Sequence, residues 1–179
     1  MVQVYVRQIA ILNNAIRELT RASEALARQL PEWEIFDSLP GAGEVMAPRR
    51  MAARGSRRER FHSADDLSAF SGIAPVKQAS GNSQFVHFRR ACPKFLRQTF
   101  HEWAGCTVQF CDWAKDYYTG QRSRKKSHHM AVRALAFKWI RVLYRCWKDR
   151  QPYREQVYLT NRVNRATPLN ALFTAVQMP

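Results

Sequence analysis

The chain has 179 residues and a formal net charge of +15, from 29 Lys or Arg and 14 Asp or Glu. Its hydrophobic share of 46% excludes a disordered basic tail, because such tails have too few apolar groups to offset the entropy lost on ordering. No apolar run approaches the ~20 residues that span a bilayer, and the first residues lack the features of a secretory signal. We therefore expect a folded, cytoplasmic protein with reduced cysteines and no membrane partner.

The positive charge is unevenly distributed along the chain. Residues 1–70 carry a net charge of +1, whereas residues 71–179 carry +14. A surplus of cations attracts polyanions such as nucleic acid. The second part of the chain is therefore predicted to face the polyanion.

The first thirty residues show the clearest periodicity in the sequence. Apolar residues recur at alternating spacings of three and four positions, and Ser23 is the one polar residue in the series. The series is Val2, Tyr5, Ile9, Leu12, Ile16, Leu19, Ser23, Leu26 and Leu30. This heptad pattern predicts a coiled-coil arm over residues 1–31, ended by Pro31, through which residues 2–30 would form a homo-oligomer. The alternative is a helix that packs on its own domain, since a serine weakens the seam.

A glycine-containing turn follows the arm. The spacing of Phe36, Leu39, Gly41 and Gly43 fits a helix-hairpin-helix over residues 36–60, in which backbone N–H groups and a helix N-terminus hold a phosphate. The alternative is an ordinary corner between two helices, in which both glycines only supply turn geometry. A basic run accompanies this region: Arg49, Arg50, Arg54, Arg57, Arg58 and Arg60.

The middle of the chain predicts a capped helix and then a short hairpin. Ser63 is the expected N-cap and Gly72 the expected end of that helix. The next segment reads as a loop or hairpin that turns at residues 80–83, with sequence SGNS. From Pro93 onward we predict helices with a break near Gly120, and after Pro152 we detect little pattern. The expected fold is mainly α, with a compact helical domain at 32–160 and a tail at 161–179.

The spacing of the cysteines and carboxylates does not fit a metal site. Cys106 and Cys111 are spaced too far apart for a structural zinc pair, and Asp112 with Asp116 is the only helical carboxylate pair in the basic part. We therefore assign no metal ligands. The remaining candidate is a hydroxyl nucleophile, Ser80, whose attack on a phosphodiester needs cations to neutralise the developing charge. On residue chemistry alone, a simple turn serine remains the alternative.

Several motifs, taken in order, resemble the C-terminal half of transposases of the insertion-sequence-110 family, also named for insertion sequences 116 and 902. The motifs are LPGAG at 39–43, APR at 47–49, AARGSRRERF at 52–61, FSGIAPV at 70–76, SGNS at 80–83, CPKFLRQTFHEW at 92–103, KSHH at 126–129 and VRALAFKWI at 132–140. The resemblance covers about residues 36–160, and a coiled-coil arm before the glycine turn also fits that layout.

The resemblance implies a DNA recombinase that combines a RuvC-like domain, bearing a DEDD carboxylate cluster, with a domain bearing a catalytic serine. Such enzymes act as oligomers with a structured guide RNA. By position in the motif, Ser80 is the implied nucleophile that links covalently to DNA, and Ser83 is the second choice. Because the sequence begins at the arm, we expect no cofactor in this chain, and Mg²⁺ only together with the RuvC-like domain.

The sequence departs from the family pattern at three positions. Asn82 stands where relatives often carry lysine, Ala79 where some carry a basic residue, and Arg50 where an apolar helix residue is expected. The first two departures would remove cations from a phosphate site. They favour a truncated, decayed or excised copy of a transposase.

We therefore predict a DNA-binding part of a serine-dependent transposase. The predicted nucleic-acid-binding residues are Gly41, Gly43, Arg49, Arg50, Lys77, Arg89, Arg90, Lys94, Arg124, Lys125 and Lys126. One competing hypothesis is a non-catalytic nucleic-acid-binding dimer that regulates the full-length protein. A second is a helical protein-interaction domain, which would show no salt-dependent binding to DNA.

Overall fold

A computed structural model describes residues 1–55, 58–81, 83–87 and 89–166. Asn82 and most of the expected tail lie outside the described residues. The side chains of Lys77 and Ser83 also lie outside them, although the backbone of both residues is described.

Within these residues the chain forms eight α-helices, a single-turn 3-10 helix at Arg58–Arg60 and one β-hairpin. The elements in chain order are α1 (Val2–Arg28), α2 (Trp33–Asp37), α3 (Gly43–Arg54), α4 (Ala64–Phe70), β1 (Val76–Ser80), β2 (Ser83–His87), α5 (Lys94–Phe110), α6 (Asp112–Ser123), α7 (His128–Asp149) and α8 (Glu155–Ala166). The expectation of a mainly α fold with a long N-terminal helix is confirmed. No helix of the described part of the chain is both long enough and apolar enough to cross a membrane.

The core is built on α5 and α7, with α6 beside them and α2 to α4 packed around the pair. Three tryptophans lie at its centre, and the ring of Trp139 lies 5.1 Å from that of Trp103 and 4.5 Å from that of Trp113. The indole N–H of Trp139 donates to Thr107 Oγ1 at 2.8 Å, which satisfies the one polar atom of that buried ring. This packed centre joins α5, α6 and α7.

Helix α1 lies largely in solvent. Its apolar seam residues are exposed, from Ile9 at 57% to Val2 at 76%, and only Ala27 is buried. The helix contacts the body through α3, where Ile16 and Leu19 border a shallow groove of about 380 Å³. The coiled-coil arm stays a prediction, and the exposed seam gives it a surface to use.

Capping and helix-breaking residues in the sequence predicted some helix ends well and others less well. Ser63 caps α4 as expected, since its hydroxyl accepts from Asp66 N at 3.0 Å and its own N–H donates to Asp66 Oδ2 at 3.0 Å. The predicted break near Gly120 lies a few residues later, because α6 runs on to Ser123 and α7 begins at His128, and a further break at Cys111 was not predicted. The patternless stretch after Pro152 contains α8.

Candidate nucleic-acid interface

Ser80 lies at the tip of the hairpin. Strands β1 and β2 pair antiparallel, with Val76 opposite His87 at the base and Ser80 opposite Ser83 at the tip. Gly81 follows with φ = 56°, a left-handed conformation that glycine adopts without penalty. Among the described elements, each strand makes extensive contact only with the other. Ser80 is exposed, so a duplex can reach it.

The base of the hairpin is clamped between the end of α4 and the start of α5. Gly72 has φ = 72°, and a Cβ built on it would lie 2.3 Å from Cys92 Sγ. Only glycine therefore fits at this position. Arg97 Nη1 donates to Cys92 Sγ at 3.5 Å, which connects the clamp to α5. The hairpin projects from a fixed base.

The predicted cations near the hairpin lie in the segment that leads from β2 to the start of α5. Arg89 is half-buried, whereas Arg90 and Lys94 are exposed. The side chain of Lys77, which was predicted to join them, is among those that the structure does not describe. These positions leave two exposed cations close to where the hairpin meets α5.

The glycine turn lies between α2 and α3. Gly41 and Gly43 have φ values of 66° and 54°. The carbonyl of Pro40 accepts a hydrogen bond from Trp103 Nε1 at 2.9 Å, which fixes the turn on α5. A Cβ on Gly41 would meet Cys106, whereas Gly43 is exposed with open space around it at the start of α3. This geometry leaves the N-terminus of α3 open, and the helix-hairpin-helix remains a prediction.

Arg49 and Arg50, next to each other on α3, occupy different environments. Arg49 Nη1 pairs with Glu102 Oε2 at 2.5 Å and lies over the ring of Phe95. Arg50 is fully buried, donates to the carbonyl of Phe36 at 2.6 Å and lies 4.4 Å from the ring centre of Trp103. The assignment of Arg50 as a nucleic-acid contact is therefore corrected, because no phosphate reaches it in this conformation.

Arg50 and Trp103 hold the backbone at two points that precede Gly41. Arg50 binds the carbonyl of Phe36 before the turn, and Trp103 binds that of Pro40 within it. Burial lowers the pKa of Arg50 to about 9. The sequence did not identify Trp103 as a residue that holds the glycine turn. Its tryptophan identity in a helical apolar face signalled only core packing.

A second basic segment joins α6 to α7. Arg124 and Lys125 are exposed, and Lys125 has φ = 59°, which turns the chain sharply. Lys126 is half-buried, and its Nζ donates to Gln121 Oε1 at 2.6 Å. Arg122 donates to the carbonyl of Lys126 at 2.8 Å, so this connection is ordered by its own side chains.

The predicted contacts do not form one compact site. The hairpin base contacts α5 at Arg97, whereas the glycine turn contacts it at Cys106. These contacts lie about 14 Å apart along the helix axis. Nine residues of an α-helix turn through about 180° in net rotation, so the two contacts lie on opposite sides of α5 and a small ligand cannot bridge them.

No group of three or more His, Cys, Asp or Glu side chains within the described ranges is arranged to hold a metal ion. The four cysteines are unbridged. The described residues present an exposed hydroxyl, surface cations and an open helix N-terminus. These groups are suited to contacts with phosphates.

Residues 33–119 match the model of the transposase IS116/IS110/IS902 family. The chain is 31% identical over 150 residues to the mini-circle transposase assigned to IS117 of Streptomyces coelicolor, a match that covers 84% of this chain and 36% of that protein. It is 29% identical over 149 residues to the 42 kDa protein of insertion element IS900 of Mycobacterium paratuberculosis, covering 82% and 37%. The chain thus spans a little more than a third of the length of these relatives.

Proposed function

Because residues 33–119 of this chain belong to the transposase IS116/IS110/IS902 family, we propose that the chain binds DNA in transposition and that Ser80 is the nucleophile. The observation that carries the proposal is the exposure of Ser80 at the tip of a hairpin that projects from the helical body. Reactive groups are commonly carried on loops that a rigid scaffold positions.

The proposed reaction exchanges one phosphate ester for another. The Oγ of Ser80 attacks the phosphorus of a DNA phosphodiester, forms a serine–phosphate bond and releases a DNA hydroxyl. The serine proton passes to a base, and the leaving oxygen takes up a proton. Nearby cations would stabilise the charge that develops on the phosphate, and Arg90 is an exposed one beside the hairpin base.

Binding of DNA is proposed to rest on contacts with its phosphates. The net charge of +14 after residue 70 supports it, as do the exposed Lys94, Arg124 and Lys125. Such contacts release counterions, so affinity should fall roughly tenfold or more between about 50 and 200 mM salt. Since DNA is the proposed partner, we also place the chain in the cytoplasm.

Oligomer formation is part of the same proposal. The seam of α1 exposes Ile9, Leu12 and Ile16 on one side of the helix, in the heptad spacing that suits a second copy. The proposal also includes a structured guide RNA, as the family resemblance implies. Sedimentation of the wild-type chain and of Leu12→Glu checks the seam, since a charge there should shift the chain toward monomer.

The decisive experiment measures a covalent protein–DNA adduct. A labelled duplex carrying the ends of an insertion element is incubated with this chain, guide RNA, Mg²⁺ and the RuvC-like domain supplied separately. A denaturing gel should show labelled protein for wild type and for the control Ser83→Ala, and none for Ser80→Ala. An adduct that persists in Ser80→Ala contradicts the assignment.

A regulatory role is the second candidate function, and the exposed seam of α1 favours it. In this case the chain binds DNA, or joins longer copies of the transposase, and forms no covalent link. Salt-dependent DNA binding without an adduct in the same assay supports the regulatory role. Absence of any salt-dependent shift of the duplex supports a protein-interaction domain instead.

A further inference from the structure

Three histidines and two arginines lie together where α5 meets the start of α7. The ring of His129 lies 5.6 Å from that of His101 and 5.3 Å from that of His128. Arg97 lies one turn before His101 on α5, and Arg133 one turn after His129 on α7, so each pair shares a helix face. We call these five residues the histidine–arginine cluster.

The members of this cluster act on each other electrostatically. Burial lowers the pKa of His101, a hydrogen bond to the backbone of His129 opposes that change, and the positive charges of His129, Arg133 and His128 lower it further. Burial also lowers the pKa of Arg133, and Arg97 adds to that effect. Like charges held this close repel one another, and a bound polyanion would relieve the repulsion.

A carboxylate and a tyrosine hydroxyl lie beside the cluster, and both are engaged by other side chains. Glu102, next to His101 on α5, is engaged by Gln98 and by Arg49 from α3, and His101 contributes to its lowered pKa. Tyr118 of α6 is hydrogen-bonded to His128 Nδ1 at 2.8 Å, which orients that ring. The carboxylate beside the cluster is thus directed toward α3 by its hydrogen bonds.

The cluster continues to the hairpin through Arg97. Its Nη1 contacts Cys92, which packs on Gly72 at the hairpin base. At the other end, His128 follows Ser127 and the exposed Lys125 of the basic connection. The cluster therefore links two regions already predicted to contact nucleic acid, and none of its five members was among the predicted binding residues.

We propose that the histidine–arginine cluster binds the phosphate backbone of the nucleic acid that passes the Ser80 hairpin. The proposal rests on the proposed DNA-binding function and names contacts within it. Guanidinium groups bind phosphate through paired N–H donors, and protonated imidazoles add charge as well as donors. A nucleic acid is favoured over an acidic protein because it presents phosphates continuously from the basic connection to the hairpin.

The first test is a salt titration of binding to a fluorescent 30-base-pair duplex, followed by anisotropy. Arg97→Gln combined with Arg133→Gln should lower the slope of log affinity against log salt by about 2, since each lost phosphate contact removes about 0.9. The matched control, Lys115→Gln combined with Lys148→Gln, removes the same charge from exposed positions and should change the slope less. Circular dichroism of all variants verifies folding.

The second test uses acidification. Because burial lowers the pKa of His101, this residue gains most of its charge below pH 6.5, so the wild-type chain should bind the duplex roughly threefold more tightly at pH 5 than at pH 8. His101→Gln combined with His129→Gln should remove most of that gain. A third measurement needs no variant: imidazole NMR signals of the wild-type chain should titrate at higher pH when the duplex is bound, because phosphate favours the charged ring.

The outcomes separate this proposal from the function on which it rests. If the wild-type chain shows no salt-dependent binding to DNA, both fail. If it binds but the arginine double variant behaves like the lysine control and the imidazoles do not respond to DNA, only the cluster proposal fails. If the arginine double variant keeps its DNA affinity but loses binding to poly-glutamate, the cluster is a site for acidic protein and the proposal is overturned.

Discussion

The helical body and the Ser80 hairpin are built in opposite ways. In the body, Trp103, Trp113 and Trp139 pack ring against ring, and Trp139 has its polar atom satisfied. In the hairpin, each strand pairs with the other and Val86 is 64% exposed. Side chains in the body pack against several neighbours, whereas side chains in the hairpin pack against few.

This contrast separates stability from reactivity. A two-stranded hairpin alone is marginally stable in water, so its position depends on the clamp at its base. Loss of buried packing in the body should therefore lower the free energy of unfolding by about 2–5 kcal/mol, whereas substitutions at the hairpin tip should lower it by about 1 kcal/mol at most. The following predictions test that division, in order of decreasing effect.

The largest effect is expected at the centre of the body. Trp139→Ala should lower the free energy of unfolding by about 3–5 kcal/mol, because it removes a fully buried ring and leaves a cavity. Urea unfolding followed by circular dichroism measures it. The control Val86→Ala in the hairpin should stay within about 0.5 kcal/mol of wild type. Similar losses for both variants would contradict the division.

The clamp should respond more strongly than the tip to the same substitution. Gly72→Ala places a Cβ against Cys92 as well as straining the backbone, and it should cost about 2–4 kcal/mol. Gly81→Ala meets nothing within 4 Å, so it should cost only the ~1 kcal/mol of the left-handed conformation. Thermal unfolding of the two variants gives the difference. If they are equal, Cys92 does not restrict this position.

A buried charge should weaken the body. Arg50→Met at pH 7 should raise the free energy of unfolding by about 1 kcal/mol, because removing a buried cation outweighs losing the hydrogen bond to Phe36. Arg90→Met, at an exposed position, should change it by less than about 0.5 kcal/mol. Chemical unfolding of both variants is the measurement, and a large loss in Arg50→Met would show that this arginine stabilises the fold.

The pH dependence of that variant follows from the lowered pKa of Arg50. The folded state loses the proton at about pH 9, well below the pH at which the unfolded arginine loses it, so the unfolded state binds more protons in between. This contribution to stability therefore rises with pH above 9. The advantage of Arg50→Met should shrink between pH 8 and 10.5. Buried Cys111 and half-buried Cys146 ionise in the same way in the wild-type protein and in Arg50→Met, so they cancel from the comparison.

The smallest effect on stability is expected at the proposed nucleophile. Ser80→Ala should leave the free energy of unfolding within about 0.5 kcal/mol of wild type, because the side chain is exposed at the hairpin tip. Urea unfolding measures it beside the adduct assay. A loss above 1 kcal/mol would identify Ser80 as structural, and a missing adduct would then carry less weight.

Local rules predicted the elements whose signals lie close together in the sequence. The capping of α4 by Ser63 and the hairpin turn near Gly81 are both set by a few neighbouring residues. The break predicted near Gly120 lies a few residues later in the structure, after Ser123. One glycine inside a helix costs only about 1 kcal/mol, which the packing of α6 exceeds.

Tertiary packing decided what the sequence could not. Arg50 was counted with the exposed basic run, yet it shares a helix face with the buried Ala47 and Arg54. The family resemblance led us to expect an apolar residue at this position, and that expectation was the signal that could have revealed the burial of Arg50. The histidine–arginine cluster joins residues from two helices that are distant in sequence, and only the packing of α5 on α7 brings them together.

The contact between the glycine turn and Cys106 has a practical consequence. Cys106 is the exposed member of the four cysteines, whereas Cys111 is buried with its thiol pKa raised to about 12. Maleimide dyes react with ionised, accessible thiols, so they should label Cys106 first. A dye attached there would sit beside Gly41 and act as a built-in optical reporter for whatever arrives at that turn.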